Sequence, residues 1–313
     1  MFSIRFTKST GRIFVEIFGF VVKFRLPSKK KDAAALLANL PYELADPRTA
    51  VKLPVVESKD NTLKALMNST KSVVRLGDGE FKLMSGENIC FQKYTPVLET
   101  RLKEIIKNDD DNILTAVTDM FGGNVDDYHR CVIVDLRQML YQNMDLSKKY
   151  YNTLFSRKLR FKNHTEGKKY YNNFKKLWNK KDVVLVEGEG CYLGIGNDLF
   201  DNAKSIERIV CPMKNAFSKY DKILAQCLKQ PKSKLFIMAL GPTATVLAYD
   251  LAKQGYRALD AGHIDTAYEA FLRNSDRFVQ IEGKIVFNKD RRRNKIKECS
   301  DKKYYEQITA KLT

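Results

Sequence analysis

Four short apolar or β-rich runs, Val183 to Val186, Ile206 to Val210, Leu235 to Leu240 and Arg257 to Leu259, alternate with helical patterns at Ala216 to Lys229, Thr243 to Lys253 and Ala267 to Arg273. Parallel strands need a long crossover between them, and helices supply it, so this alternation predicts βαβ units. The expected fold class is α/β, a mostly parallel sheet flanked by helices. Two further strands are expected upstream, at Ser72 to Leu76 and Ile113 to Val117. Ligands of such sheets collect beyond the carboxyl ends of the strands, which directs attention to the loops starting at Glu187, Cys211, Gly241 and Asp260.

The chain has 313 residues, enough for one large domain or two small ones, and its 44% hydrophobic and 29% charged residues are a globular balance. No apolar run approaches the ~20 residues that span a bilayer. With 55 Lys plus Arg against 37 Asp plus Glu the net charge is +18, which favours phosphates, polyanions or anionic lipid as partners. The six cysteines, at 90, 131, 191, 211, 227 and 299, show no CxxC spacing, which suits a reducing compartment. Three histidines (His129, His164, His263) have no i, i+3 or i+4 pairing, so a metal here is expected on oxygen ligands.

Residues 1–59 are expected to be a basic N-terminal segment and linker. Eight basic residues, up to and including Lys31, surround the apolar stretch Ile13 to Val22, which either lies on an anionic membrane surface or folds back as a strand or helix. A helical region rich in Tyr and Lys is expected from about Asp135 to Lys181. Its aromatic residues at three- and four-residue spacings fit one buried helix face better than a nucleic-acid stacking surface, so nucleic acid is disfavoured. Residues 281–313 are expected to be a basic tail.

Several constellations could carry chemistry. Asp78-Gly79-Glu80 directly follows a strand and could present two carboxylates to one hard cation, although two solvated acids in a turn would look the same. Gly241-Pro242-Thr243 opens a helix whose free amides suit phosphate oxygens, and a ligand-free cap would use the same residues. Gly188-Glu189-Gly190 and Gly194-Ile195-Gly196-Asn197-Asp198 form a glycine-dense loop. Asp265 and Glu269 are four residues apart, beyond the final parallel strand, where a carboxylate could deprotonate a hydroxyl acceptor.

Taken together, Val73 to Phe81, Val186 to Glu189, Leu193 to Phe200, Cys211-Pro212 with Asn215-Ala216-Phe217, Leu240 to Tyr249, and Gly262 to Asp265 with Tyr268-Glu269 resemble the bacterial GT-D-type glycosyltransferases, formerly a domain of unknown function. The resemblance covers roughly residues 60–280. It implies a Rossmann-like catalytic domain that uses a nucleotide sugar, typically UDP-glucose, with Mn²⁺ or Mg²⁺ on Asp78 and Glu80. Arg75, Gly77, Gly79, Asn215, Gly241, Pro242, Thr243 and His263 would then line the donor pocket, with Glu269, and Asp265 second, as candidate general bases. The implied acceptor is a hydroxyl of a glycan or glycopeptide of the bacterial surface, lipid-linked in some systems, and the implied location is the cytoplasm, beside the inner face of the membrane. Two departures stand out: Cys191-Tyr192 where relatives carry an Arg, and Ser156-Arg157-Lys158-Leu159 where they carry Arg-Pro-Tyr after the Ser. A nucleotide phosphoesterase and a non-catalytic polyanion or membrane binder are the alternative functions.

Overall fold

The computed structural model describes residues 2–7, 12–17 and 20–25 in backbone, and residues 54–119, 139–140, 142–285 and 298–313. The chain divides into two compact units, one holding the N-terminal strands and the other the main sheet. In the first, β1 (Phe2–Thr7), β2 (Arg12–Ile17) and β3 (Phe20–Arg25) form an antiparallel meander. The register pairs Ile4 with Val15 and Val15 with Val22, so Phe2, Ile4, Phe6, Ile13, Val15, Ile17, Phe20, Val22 and Phe24 occupy one face. Most of Ile13 to Val22 lies in β2 and β3. Residues 26–53 of the expected segment and linker lie outside the described residues.

The second unit is a nine-stranded sheet in which every pairing is parallel, in the order β12-β9-β8-β10-β11-β5-β6-β7-β4. In chain order its elements are β4 (Val55–Val56), α1 (Lys59–Met67), β5 (Ser72–Leu76), α2 (Asp78–Met84), α3 (Pro96–Ile106), β6 (Ile113–Val117), β7 (Lys149–Asn152), α4 (His164–Lys176), β8 (Asp182–Gly188), β9 (Ser205–Cys211), α5 (Tyr220–Cys227), β10 (Leu235–Ala239), α6 (Pro242–Lys253), β11 (Arg257–Asp260), α7 (Ile264–Leu272), α8 (Lys302–Glu306) and β12 (Ile308–Lys311). Central strands read as continuous apolar runs because helices cover both of their faces: all five residues of β6 are buried. Helix α6 packs across β5, β10 and β11, and it is buried from Pro242 to Tyr249. No helix among the described residues is long and apolar enough to cross a membrane.

Three expectations need correction. The stretch from Asp135 to Lys181 is not one helical region: residues 139–140 and 142–143 are helical, but β7 and a 3₁₀ turn (Thr153–Arg157) follow before α4. Side-chain caps set these breaks: Asn152 accepts from the Leu154 amide at 2.9 Å, and Asn163 from the Glu166 amide at 2.9 Å. Its aromatic residues are core as expected, with Tyr170, Tyr171, Phe174 and Trp178 in one buried cluster. Nor does the sheet domain begin at residue 60, since β4 already pairs with β7. Finally, the expected basic tail is part of the domain: β12 pairs with β9, and Ile281, Lys284, Ile285 and Tyr304 are buried.

Candidate active site

Between β5 and β11 the order of connections reverses, since β5 leads outward to β6 whereas β11 arrives from β10. That switch point opens a crevice at the carboxyl ends of the two strands. Arg75 of β5 sends its guanidinium across it, with Nη1 3.3 Å from Oδ1 of Asp260 and Nε donating to the Thr153 carbonyl at 3.1 Å. Thr245 donates to the Arg75 carbonyl at 2.8 Å and lies 3.2 Å from Oδ2 of Asp260. Gly262, at φ +46°, makes room for the guanidinium: a Cβ there would fall 1.7 Å from Arg75 Nη1. Burial raises the pKa of the Asp260 carboxyl, opposed by Arg75 and Thr245.

The expected metal pair opens α2. Glu80 turns back on its own helix, and its Oε2 accepts from the Gly77 amide at 2.7 Å, one half of a capping box. Burial first, then the charge of Asp260, pushes the Glu80 carboxyl up to about 7, against the pull of Arg75. Glu80 and Asp260 thus share the field of one guanidinium, Arg75. His263, ahead of α7, is kept neutral: burial, then the charges of Arg157 and Arg75, push its imidazole down to about 3, and only Asp78 opposes them. The structure therefore brings Arg75, Gly77, Asp78, Glu80 and His263 together, and adds Asp260 and Arg157. Asp260 was legible as a loop start after a strand; Arg157 stood out only within the Ser156 to Leu159 stretch that departs from the family pattern.

The other expected donor contacts are held under the 88–95 loop. A Cβ on Gly241 (φ +56°) would meet Phe91 at 2.6 Å, and one on Gly79 would meet Ile89 at 3.3 Å. Asn215, left-handed at φ 52°, receives the Lys93 amide on Oδ1 at 2.7 Å and donates its own amide to the Phe91 carbonyl at 2.8 Å. Pro242 and Thr243 are buried in the first turn of α6, and Oγ1 of Thr243 has no hydrogen-bond partner.

The two expected bases are occupied elsewhere. Asp265 accepts from the Gly194 amide (2.9 Å) and Asn197 Nδ2 (2.8 Å), and pairs with buried Lys284 at 2.7 Å. Glu269 accepts from Asn197 at 2.8 Å and pairs with Arg273 at 3.3 Å. On the other side of the same glycine loop, buried Glu187 pairs with Arg208 at 2.6 Å and accepts from the Leu193 amide at 2.7 Å. Arg208 also donates to the Leu193 carbonyl (2.8 Å) and Gln307 (2.8 Å) and lies over the Tyr304 ring. These carboxylates hold the loop in shape. Cys191 is also at work in the interior, its thiol pushed up to about 12 by burial, and Tyr192 packs edge-on against Tyr304.

Residues 73–289 match the family described as glycosyltransferase GT-D fold. A probable glycosyl transferase of Streptococcus gordonii is 36% identical over 268 residues, 82% of this chain and 39% of the relative. The glycosyltransferase GlyD of Streptococcus pneumoniae serotype 4 is 30% identical over 88% of this chain and 35% of its own length. The chain thus spans well under half of the curated relatives it matches. A solved structure described as a new glycosyltransferase from Streptococcus sanguinis superimposes with a TM-score of 0.77 at 34% identity, covering 83% of this chain and all of that one, 100%.

Proposed function

The chain belongs to the glycosyltransferase GT-D fold family, and from that premise we propose that it transfers a hexose, glucose first among the candidates, from a UDP-sugar to a hydroxyl of a glycan or glycopeptide acceptor. The observation that carries this reading is the group at the switch point: Glu80 and Asp260 beside Arg75, with Asp78 opening the same helix turn as Glu80 and facing His263 together with Arg157. Two carboxylates at one helix start beside the crevice suit a hard divalent ion, which prefers oxygen ligands. Glu80 keeps Oε1 beyond its helix cap, and Asp78 opens the same turn, so these two residues would hold Mn²⁺ or Mg²⁺, with substrate phosphates and water as the remaining ligands. When bound, such an ion supplies charge neutralisation on the departing diphosphate.

The chain's own residues prepare the rest. Arg75, braced by Asp260 and Thr153, fixes the floor of the crevice. His263 stays neutral there, able to donate or accept one hydrogen bond without adding charge. Thr243 holds a hydroxyl with an unmet hydrogen bond at the first turn of α6, where the helix favours phosphate. Asp265 and Glu269 act by shaping the glycine loop, Asp265 through the Gly194 amide, Asn197 and Lys284 and Glu269 through Asn197. The basic N-terminal residues would keep the protein beside an anionic leaflet, within reach of lipid-linked acceptors.

The test is product analysis. With Mn²⁺ and a panel of UDP-sugars, the protein should release UDP and a glycoside or free sugar, and Asp78→Ala and Glu80→Ala should each abolish the release. UMP or inorganic phosphate as product would favour a phosphoesterase. Undiminished UDP release by both variants would remove the two acids from the chemistry.

A further inference from the structure

The outward face of α4 concentrates positive charge. Thr165, Lys168, Lys169, Asn172, Asn173 and Lys176 line one shallow open cleft along it, and spacings of three and four residues set them on a single face of a helix about 20 Å long. The opposite face, with Gly167, Tyr170, Tyr171 and Phe174, is buried. Lys162 and Lys180, just beyond the two ends, are exposed as well. Elsewhere surface lysines meet acids: Lys204 lies 3.1 Å from Asp182, Lys253 3.1 Å from Asp110 and Lys311 2.9 Å from Glu189. The acids at α4 are already taken, Glu166 by Lys158 at 3.3 Å and Asp198 by Lys175 at 2.5 Å. Among the described residues, Lys162, Lys168, Lys169, Lys176 and Lys180 pair with no carboxylate, and Lys176 donates only to Oδ1 of Asn173, at 2.9 Å.

We propose that this face of α4 docks the protein on an anionic bilayer surface. Three classes of partner carry enough negative charge, and the composition of the face separates them. Single-stranded nucleic acid needs aromatic platforms for its bases, and Tyr170, Tyr171, Phe174 and Trp178 are all turned into the core. An acidic protein needs an apolar or aromatic anchor at the centre of the contact, where this face offers only Thr, Asn and Lys. A leaflet of acidic lipid needs neither, because each ammonium on its flexible stem reaches the headgroup layer independently. Such attraction accumulates at about fivefold in affinity per lysine near the surface. The inference goes beyond the leaflet contact of the basic N-terminal residues, since a different unit of the chain carries it.

The test is co-sedimentation of the full chain with vesicles of equal parts phosphatidylglycerol and phosphatidylcholine, and with vesicles of phosphatidylcholine alone. The protein should bind the mixed vesicles, leave them in high salt, and ignore the neutral ones. Lys168→Gln, Lys169→Gln and Lys176→Gln together should weaken binding about a hundredfold. The melting temperature should stay unchanged, since the three side chains are exposed and Gln suits a helix about as well as Lys does. A parallel variant with Lys29, Lys30 and Lys31 all changed to Gln separates the two contacts. Loss in the α4 variant alone would establish α4 as the docking face and remove the N-terminal contact, whereas loss in the N-terminal variant alone overturns the α4 proposal and keeps the other. Equal sedimentation with neutral vesicles, or none with either, also overturns it. So does an α4 variant that keeps the mixed vesicles and gives up polyuridylate, which would assign the face to RNA.

Discussion

Gly262→Ala tests whether the crevice floor is built as described. The added methyl would sit 1.7 Å from Arg75 Nη1 and 2.7 Å from its Cζ, so the guanidinium must leave. Two losses follow. An L-residue at φ +46° is strained by about 1–2 kcal/mol. Displacing Arg75 removes the cation paired with Asp260, whose side chain is 5% exposed, and orphaning a buried charge typically costs roughly 3–5 kcal/mol. Thr245 stays beside Asp260, so the lower part of the combined range, about 4 kcal/mol, is expected. Urea unfolding of wild type, Gly262→Ala, Arg75→Ala and the double variant isolates the contact. Once Arg75 is shortened, the three atoms nearest the new methyl are gone, and Gly262→Ala should retain only its backbone strain. A Gly262→Ala effect of equal size in both backgrounds would refute the contact between Gly262 and the guanidinium.

Arg208→Met should destabilise the protein by about 3–5 kcal/mol, because it leaves Glu187 buried without its partner; Glu187→Met combined with Arg208→Met should be milder than the single change, and urea titrations of both check this. Thr243→Val should raise the melting temperature of the ligand-free protein, since it deletes a buried hydroxyl with no partner, while reducing the shift produced by UDP-glucose; a lower melting temperature would contradict this. Glu269→Gln keeps an acceptor for Asn197 and gives up only the half-exposed Arg273 pair, so stability should fall by less than about 1 kcal/mol and turnover should be nearly unchanged. A thousandfold loss of turnover in that variant would restore Glu269 as the base.

Apolar runs made most of the sheet legible. Ser72 to Leu76 and Ile113 to Val117 were found as expected, because strands covered on both faces carry no polar alternation to confuse them with loops. β7 was absorbed into a helical stretch because Tyr150 and Tyr151 suit either period, and only its pairing with β6 decides. β12 escaped notice since Ile308–Lys311 alternates half-buried and exposed residues within a strongly charged segment. At the site, Asp78 and Glu80 stood out by their position after a strand, and Arg75, within that strand, through the family resemblance. The Asp260 partner did not, because the contact joins residues 185 apart through neighbouring strands. Asp265 and Glu269 were correctly placed on one helix start, yet their roles depend on Asn197 and Lys284, which no local pattern links to them.

The glycine-dense loop takes its shape from groups far downstream. Lys284 holds Asp265, the Ile285 amide donates to the Gly190 carbonyl at 2.9 Å, and Gln307 orients Arg208. A polypeptide still leaving the ribosome could assemble β5 through β11 and α6 while this loop remained unformed. Lys284, Ile285 and Gln307 thus act as a late-arriving template for the loop.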